Sequence, residues 1–262
     1  MPRLRDLTDK IAEWVVHYSI PRSAIQKVEN EPNSTRKLLA LQRQAKETFK
    51  TRGMSGEHGE MLMFVIAEAI LGLPQLLCKM DLKTDTEVHF HGLDGVHCGP
   101  GDTENSLAVY WCESKVFKNL GDAITDALKG LEPFLTGAGT GDKDKRRELA
   151  LLNRYMDLGD ADLQELVLES LDPSNEKFNH VNWKGICFIG FESDLYPDTP
   201  KTKSKSDLLA ELQTELLKWK TSIATKVKNK SLDNFEIHFV LVPFALVENF
   251  RTEMKKSLGL DT

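Results

Sequence analysis

Apolar side chains at Leu7, Ile11, Trp14, Val15 and Tyr18 recur at the three- and four-residue spacing of one helix face, and Pro21 closes the stretch. After the turn-like NEPNS, Leu38, Leu41, Ala45 and Phe49 predict a second helix that Ser34 would cap. The pattern then changes. From 57 to 73 the chain is apolar on nearly every side, as in a helix buried all round, with Gly72 and Pro74 to end it. Its few acids stand out against that background. Glu60 and Glu68 share one stripe with Phe64 between them, and Glu57 lies one turn before Glu60.

Residues 87–93 and 107–117 predict a hairpin or two neighbouring strands, joined by a turn-rich stretch with GPGDTEN. Asn119 is placed to cap a helix whose Leu120, Ile124, Ala127, Leu128, Leu131 and Phe134 make an apolar face. TGAGTGDKDKRRE, from Thr136, predicts a flexible junction leading into a helical stretch with Leu149, Leu152, Tyr155 and Met156. Beyond a polar loop come a strand, GICFIGF at 185–191, a long helix over 206–227, a second strand, EIHFVLVPF at 236–244, and a closing helix with Val247, Phe250, Met254 and Leu258. This order predicts an α/β fold: a mixed central sheet flanked by helices, with an N-terminal helical extension over 1–52 and the main domain over 53–262.

Composition narrows the class. With 262 residues, 40% of them hydrophobic, the chain can bury a core without disulfide staples. Its long apolar run, 61–73, is too short to span a bilayer, so no membrane is expected. MPRLRDLTDK is basic but leads into no apolar segment of a secretory signal, which makes a cytoplasmic protein with four free thiols the expectation. The net charge of −6 disfavours a protein that coats nucleic acid by bulk electrostatics. The charge is unevenly spread, however: residues 1–56 and 201–230 each carry +5, and residues 57–200 carry −14. Basic stretches around an acidic centre suit a metal site framed by phosphate contacts, and they equally suit solvated helix faces.

The strand SLAVYWCESKVF alternates two mostly apolar faces, one with Leu107, Val109, Trp111, Glu113, Lys115 and Phe117, the other with Ala108, Tyr110, Cys112, Ser114 and Val116. An acid and a base on a face that should be buried call for either a mutually satisfied ion pair or a chemical role. In the second reading Glu113 binds a divalent metal, and Lys115 positions the attacking water or stabilises charge at a phosphate. That chemistry needs another acid, and Asp94 in HGLDGVH, between Gly92 and Gly95, supplies it from the end of the preceding strand. Two carboxylates suffice to hold Mg2+, which keeps several waters, with Mn2+ as a substitute. Glu60 is the candidate fourth member, ordering metal-bound water, with Glu57 an alternative one turn away.

An acid at a strand end, followed after 18 intervening residues by Glu-Ser-Lys in an apolar strand and then by a helix, resembles the PD-(D/E)XK nuclease superfamily. Leu93 stands where that superfamily usually has proline. GEHGEMLMF at 56–64, LDGVH at 93–97, YWCESKVF at 110–117 and the late EIHFVLVPFALVENF together resemble the DUF1837 family, over about residues 50–260. That family includes nuclease subunits of the Hachiman anti-phage defence system. The resemblance implies metal-dependent DNA cleavage, with Asp94, Glu113 and Lys115 in the nuclease roles. It also implies restraint by a partner superfamily 2 helicase, HamB.

Other candidates are weaker. His89, His91, His97, Cys98 and Cys112 cluster in sequence but lack the paired spacing of a zinc site. His97 could touch a substrate phosphate or be a turn histidine with a local hydrogen bond. GTGDKDKRR lacks the ending of a phosphate-binding ATPase loop, so any ATP use falls to a partner. Lys143, Lys145, Arg146 and Arg147, with Lys201, Lys203 and Lys205, are the candidate DNA contacts. A non-catalytic DNA- or partner-binding subunit and a stand-alone restriction-type endonuclease are the competing functions.

Overall fold

The computed structural model describes residues 2–52, 56–80, 92–104, 106–137, 141–197 and 202–260. Four N-terminal helices, α1 (Pro2–Ala12), α2 (Val15–Ser19), α3 (Arg22–Glu29) and α4 (Ser34–Arg52), precede α5 (Glu57–Val65), which runs into a π-helical turn (Ile66–Ile70). Strands β1 (Gly95–Pro100) and β2 (Leu107–Val116) follow, then helices α6 (Leu120–Thr136), α7 (Gly141–Tyr155) and α8 (Ala161–Leu171). The chain ends with β3 (Asn182–Glu192), α9 (Lys205–Asn229), β4 (Ile237–Phe244) and α10 (Val247–Leu258).

The strands form one mixed sheet in the order β1-β2-β3-β4. β1 is antiparallel to β2, while β2, β3 and β4 run parallel, with Glu113 opposite Cys187 and Lys115 opposite Ile189. Parallel neighbours need long crossovers, which α6 to α8 and α9 provide.

Each face of the sheet has its own core, as the alternation in β2 requires. Val109 and Trp111 of β2 and Cys187, Ile189 and Phe191 of β3 lie under α6 to α9, against Leu128, Leu131, Leu152, Val167 and Trp219. On the opposite face Tyr110, Cys112 and Phe188 lie under α5, α10 and the N-terminal helices, against Phe64, Phe250, Tyr18 and Phe49. The N-terminal helices therefore share a core with the sheet. α5 comes unusually near β2, because a Cβ at Gly59 would stand 2.6 Å from Ser114 Oγ and from Val116 Cγ2. No described helix is long and apolar enough to cross a membrane.

Several expectations are corrected. The strand beside β2 is β1, within the stretch expected to be turn; Gly92 and Leu93 lie outside it, and the rest of the expected 87–93 strand falls outside the described residues. Glycine and proline in VHCGP hide a strand whose Val96 and Cys98 are buried. DKDKRRE is not junction but the first two turns of α7. The helix after 57 is not buried throughout, since the π turn swings Ile70 and Leu71 into solvent. α8 occupies a stretch expected to be loop, and α3 one to which the pattern assigned no element; Asp160 caps α8 by accepting from Leu163 N at 3.0 Å. The predicted Asn119 cap of α6 is present, accepting from Asp122 N at 3.1 Å.

Candidate active site

Asp94 lies directly before β1, not at the end of a strand leading into the turn. Its backbone N–H donates to Cys112 O at 2.9 Å, which extends the β1–β2 ladder by one residue. Its carboxylate reaches back across β2, where Oδ2 accepts from Ser114 N at 2.8 Å. Two backbone contacts to one neighbouring strand thus fix Asp94 beside Glu113.

Glu113 projects from β2 toward α6, with its side chain only 9% exposed. A Cβ at Gly130 would stand 2.8 Å from its carboxyl carbon, so the absence of a side chain there gives the acid room beneath the helix. Lys115, two residues on and on the same face, pairs with Glu113 Oε1 at 2.7 Å and with Asp126 of α6 at 3.5 Å. Glu60 enters from α5 on the other side, accepting from Tyr18 Oη at 3.2 Å. Glu57 accepts from Gly56 N at 3.0 Å, while the charge of Glu60 acts on Asp94. Glu68 pairs with Arg22 and takes no part.

Two residues in this cluster carry no motif. Lys79, just 5% exposed, places Nζ 3.3 Å from Asp94 Oδ1 and 3.7 Å from Glu60 Oε2. Glu148 on α7 is 3% exposed and packs so tightly over Gly92 that a Cβ there would overlap its carboxylate. Both leave a trace in the sequence. Lys79 interrupts the apolar LLCKM, and Glu148, Leu152 and Met156 repeat every four residues as one buried helical stripe.

Burial and crowding of like charge govern the electrostatics. Burial, then the charge of Asp94, pushes Glu113 up to about 7, against the pull of Lys115 and Lys79. Burial and Glu60 raise Asp94. Burial also raises Glu148 to about 7, with Lys79 the strongest charge opposing it. Burial alone would lower Lys79, but Glu60 and Asp94 outweigh it and hold the ammonium above its ordinary value. Asp94, Glu60, Glu113 and Glu148 face the two ammonium groups of Lys79 and Lys115, an excess of two negative charges when all are ionised.

The donor set is hard oxygen, as Mg2+ or Mn2+ requires, and an ammonium already stands among the carboxylates as an internal cation. The residues therefore fit a divalent ion in type and charge. Among the described residues no three His, Cys, Asp or Glu side chains stand close enough together to hold a metal ion.

The family model described as HamA matches residues 1–258. The chain belongs to the HamA family. Membership carries a general role in anti-phage defence, and the match takes in the N-terminal helices along with the sheet. No curated protein matches this HamA-family chain.

The remaining candidates are placed as follows. His97 is fully buried, with Nδ1 2.8 Å from Leu73 O, and burial lowers it to about 4, so it is a structural histidine and not a phosphate contact. Cys98, Cys112 and Cys187 are buried thiols, and His89 and His91 fall outside the described residues. Lys143, Arg146 and Arg147 lie exposed on α7, ahead of Glu148. Lys145 packs its ammonium 3.7 Å from the centre of the Trp183 ring. Lys203 is engaged by Leu195 O and Glu211, Lys205 begins α9, and Lys201 lies outside the described residues.

Proposed function

We propose that this HamA-family protein is a metal-dependent deoxyribonuclease of the PD-(D/E)XK type, acting as the effector of an anti-phage defence complex with a superfamily 2 helicase, HamB. The observation that carries this reading is the convergence of Asp94, Glu113, Lys115 and Glu60, from three separate elements, on one buried, net-acidic centre. A purely structural ion pair would need Glu113 and Lys115 alone. It would not call for Asp94, whose charge raises Glu113, or for Glu60, whose charge in turn raises Asp94.

Asp94, Glu113 and Glu60 would hold Mg2+, which supplies Lewis acidity at the phosphate and an acidified water as nucleophile. Lys115 orients that water and offsets charge developing on the scissile phosphate. Glu113 must be ionised to bind the ion, so cleavage rises with pH through about 7. The exposed Lys143, Arg146 and Arg147 on α7 extend a positive surface for the DNA backbone beside the site.

The direct test incubates the protein, alone and with its helicase, with supercoiled plasmid and Mg2+. Loss of supercoiled DNA that EDTA prevents is expected. No cleavage in any combination would favour a non-catalytic binding subunit. A subtler test is Gly130→Ala. Alanine stabilises a helix by about 1 kcal/mol over glycine, which offsets the cost of shifting the carboxylate tip of Glu113, so the melting temperature should stay near that of the wild type. Because Glu113 can no longer sit against Lys115, cleavage should fall by roughly tenfold or more. Unchanged cleavage rates would show that the position of Glu113 is immaterial.

A further inference from the structure

We propose that Lys79 is a displaceable internal cation: its ammonium occupies the acidic centre between Asp94 and Glu60 until a divalent ion takes that place, and Glu148 then receives it. This inference rests on the metal-dependent reading above.

A buried ammonium is costly unless it is paired, and Lys79 is paired with the very carboxylates that would bind the metal, 3.3 Å from Asp94 and 3.7 Å from Glu60. Without a metal ion it relieves repulsion among those acids. A divalent ion brought to the same oxygens would meet a like charge at contact range, so one of the two must leave. Lysine is suited to leave, because its charge sits at the end of a flexible four-carbon stem.

The destination is already built. Glu148 Oε2 is buried and has no hydrogen-bond partner among the described residues, which is costly for a carboxylate oxygen. The charge acting on it most strongly is that of Lys79. Its position is fixed by packing over Gly92, two residues before Asp94, where no side chain fits. An orphaned acceptor beside a lysine held in another position is explained if the lysine has two resting places. Arg147 and Asp144 also act on Glu148, but with opposing signs and from its own helix.

A static clamp, in which Lys79 only holds the acids in position, predicts weaker binding by Lys79→Met and no change by Glu148→Gln. The test is Mn2+ binding to the intact protein, read by electron paramagnetic resonance of the free ion at fixed pH and salt, for wild type, Lys79→Met, Glu148→Gln and the double variant. Displacement predicts that Lys79→Met binds Mn2+ about fivefold tighter or more, since no ammonium competes, and that Glu148→Gln binds about threefold more weakly. It also predicts that the double variant matches Lys79→Met, because Glu148 matters only through the lysine. Weaker or unchanged binding by Lys79→Met overturns the proposal, as does unchanged binding by Glu148→Gln. Should Lys79→Met fail to fold by circular dichroism, Glu148→Gln decides alone. If the folded wild type binds no Mn2+, the metal-dependent reading falls and this proposal with it. If it binds Mn2+ but the variants do not shift as stated, only the displacement is lost.

Discussion

Glu113→Ala and Lys115→Ala are each expected to reduce Mg2+-dependent loss of supercoiled plasmid by roughly 100-fold or more, while leaving the protein folded. Removing Glu113 takes away a carboxylate that burial and Asp94 already disfavour, and Lys115 keeps Asp126 at 3.5 Å. The folded state therefore loses little. Glu113→Gln sharpens the comparison, since it keeps the shape and removes only the charge. Glu113 is raised from its usual 4.5 to about 7, so the folded protein holds a proton there that the unfolded chain releases. That contribution to stability is complete below about 4.5 and is lost as pH rises through about 7. Metal-free wild type should accordingly lose melting temperature across that window, and Glu113→Gln should lose less of it. Cleavage that survives either alanine substitution would remove these residues from the chemistry.

The β2 strand was legible because each of its faces is apolar enough to require burial, which makes Glu113 and Lys115 conspicuous. Glu60 was legible for the same reason on α5. The strand that follows the next acid was not: Gly95 at one end of GVHCGP and Gly99-Pro100 at the other read as turn, and only pairing with β2 supplies the hydrogen bonds that make it β1. α7 was obscured by its charged first turns, which say loop when taken without the stripe formed by Glu148, Leu152 and Met156. Lys79 and Glu148 were missed because neither belongs to a spaced motif. Their significance lies in three-dimensional crowding that no local pattern encodes, although an isolated charge in an apolar run is the trace such crowding leaves. Of Glu57 and Glu60, one turn of helix apart, it is Glu60 that accepts from Tyr18 and stands 3.7 Å from Lys79.

Trp111→Ala is expected to be the most damaging single substitution to the fold. Trp111 is fully buried at the middle of β2, its ring stacked on Trp183 at 5.7 Å and tilted against Phe134 at 5.4 Å. Truncating a buried tryptophan costs about 3–5 kcal/mol, through lost burial and the cavity left behind. That is a large share of the roughly 5–15 kcal/mol that holds an ordinary domain together. The melting temperature should fall by about 10 °C or more. Trp111→Phe should cost much less, because it keeps an aromatic ring and removes an indole N–H that has no hydrogen-bond partner among the described residues. Trp111 and Glu113 share one face of one strand, so the cavity opens beside the acid. If β2 acts as a rigid mount for the site, Trp111→Phe retains cleavage near the wild-type rate. Trp111→Ala, assayed well below its melting point, should then lose rate through displacement of Glu113. A Trp111→Ala protein that melts like the wild type would show that the core beneath the acidic centre is not what holds it in place.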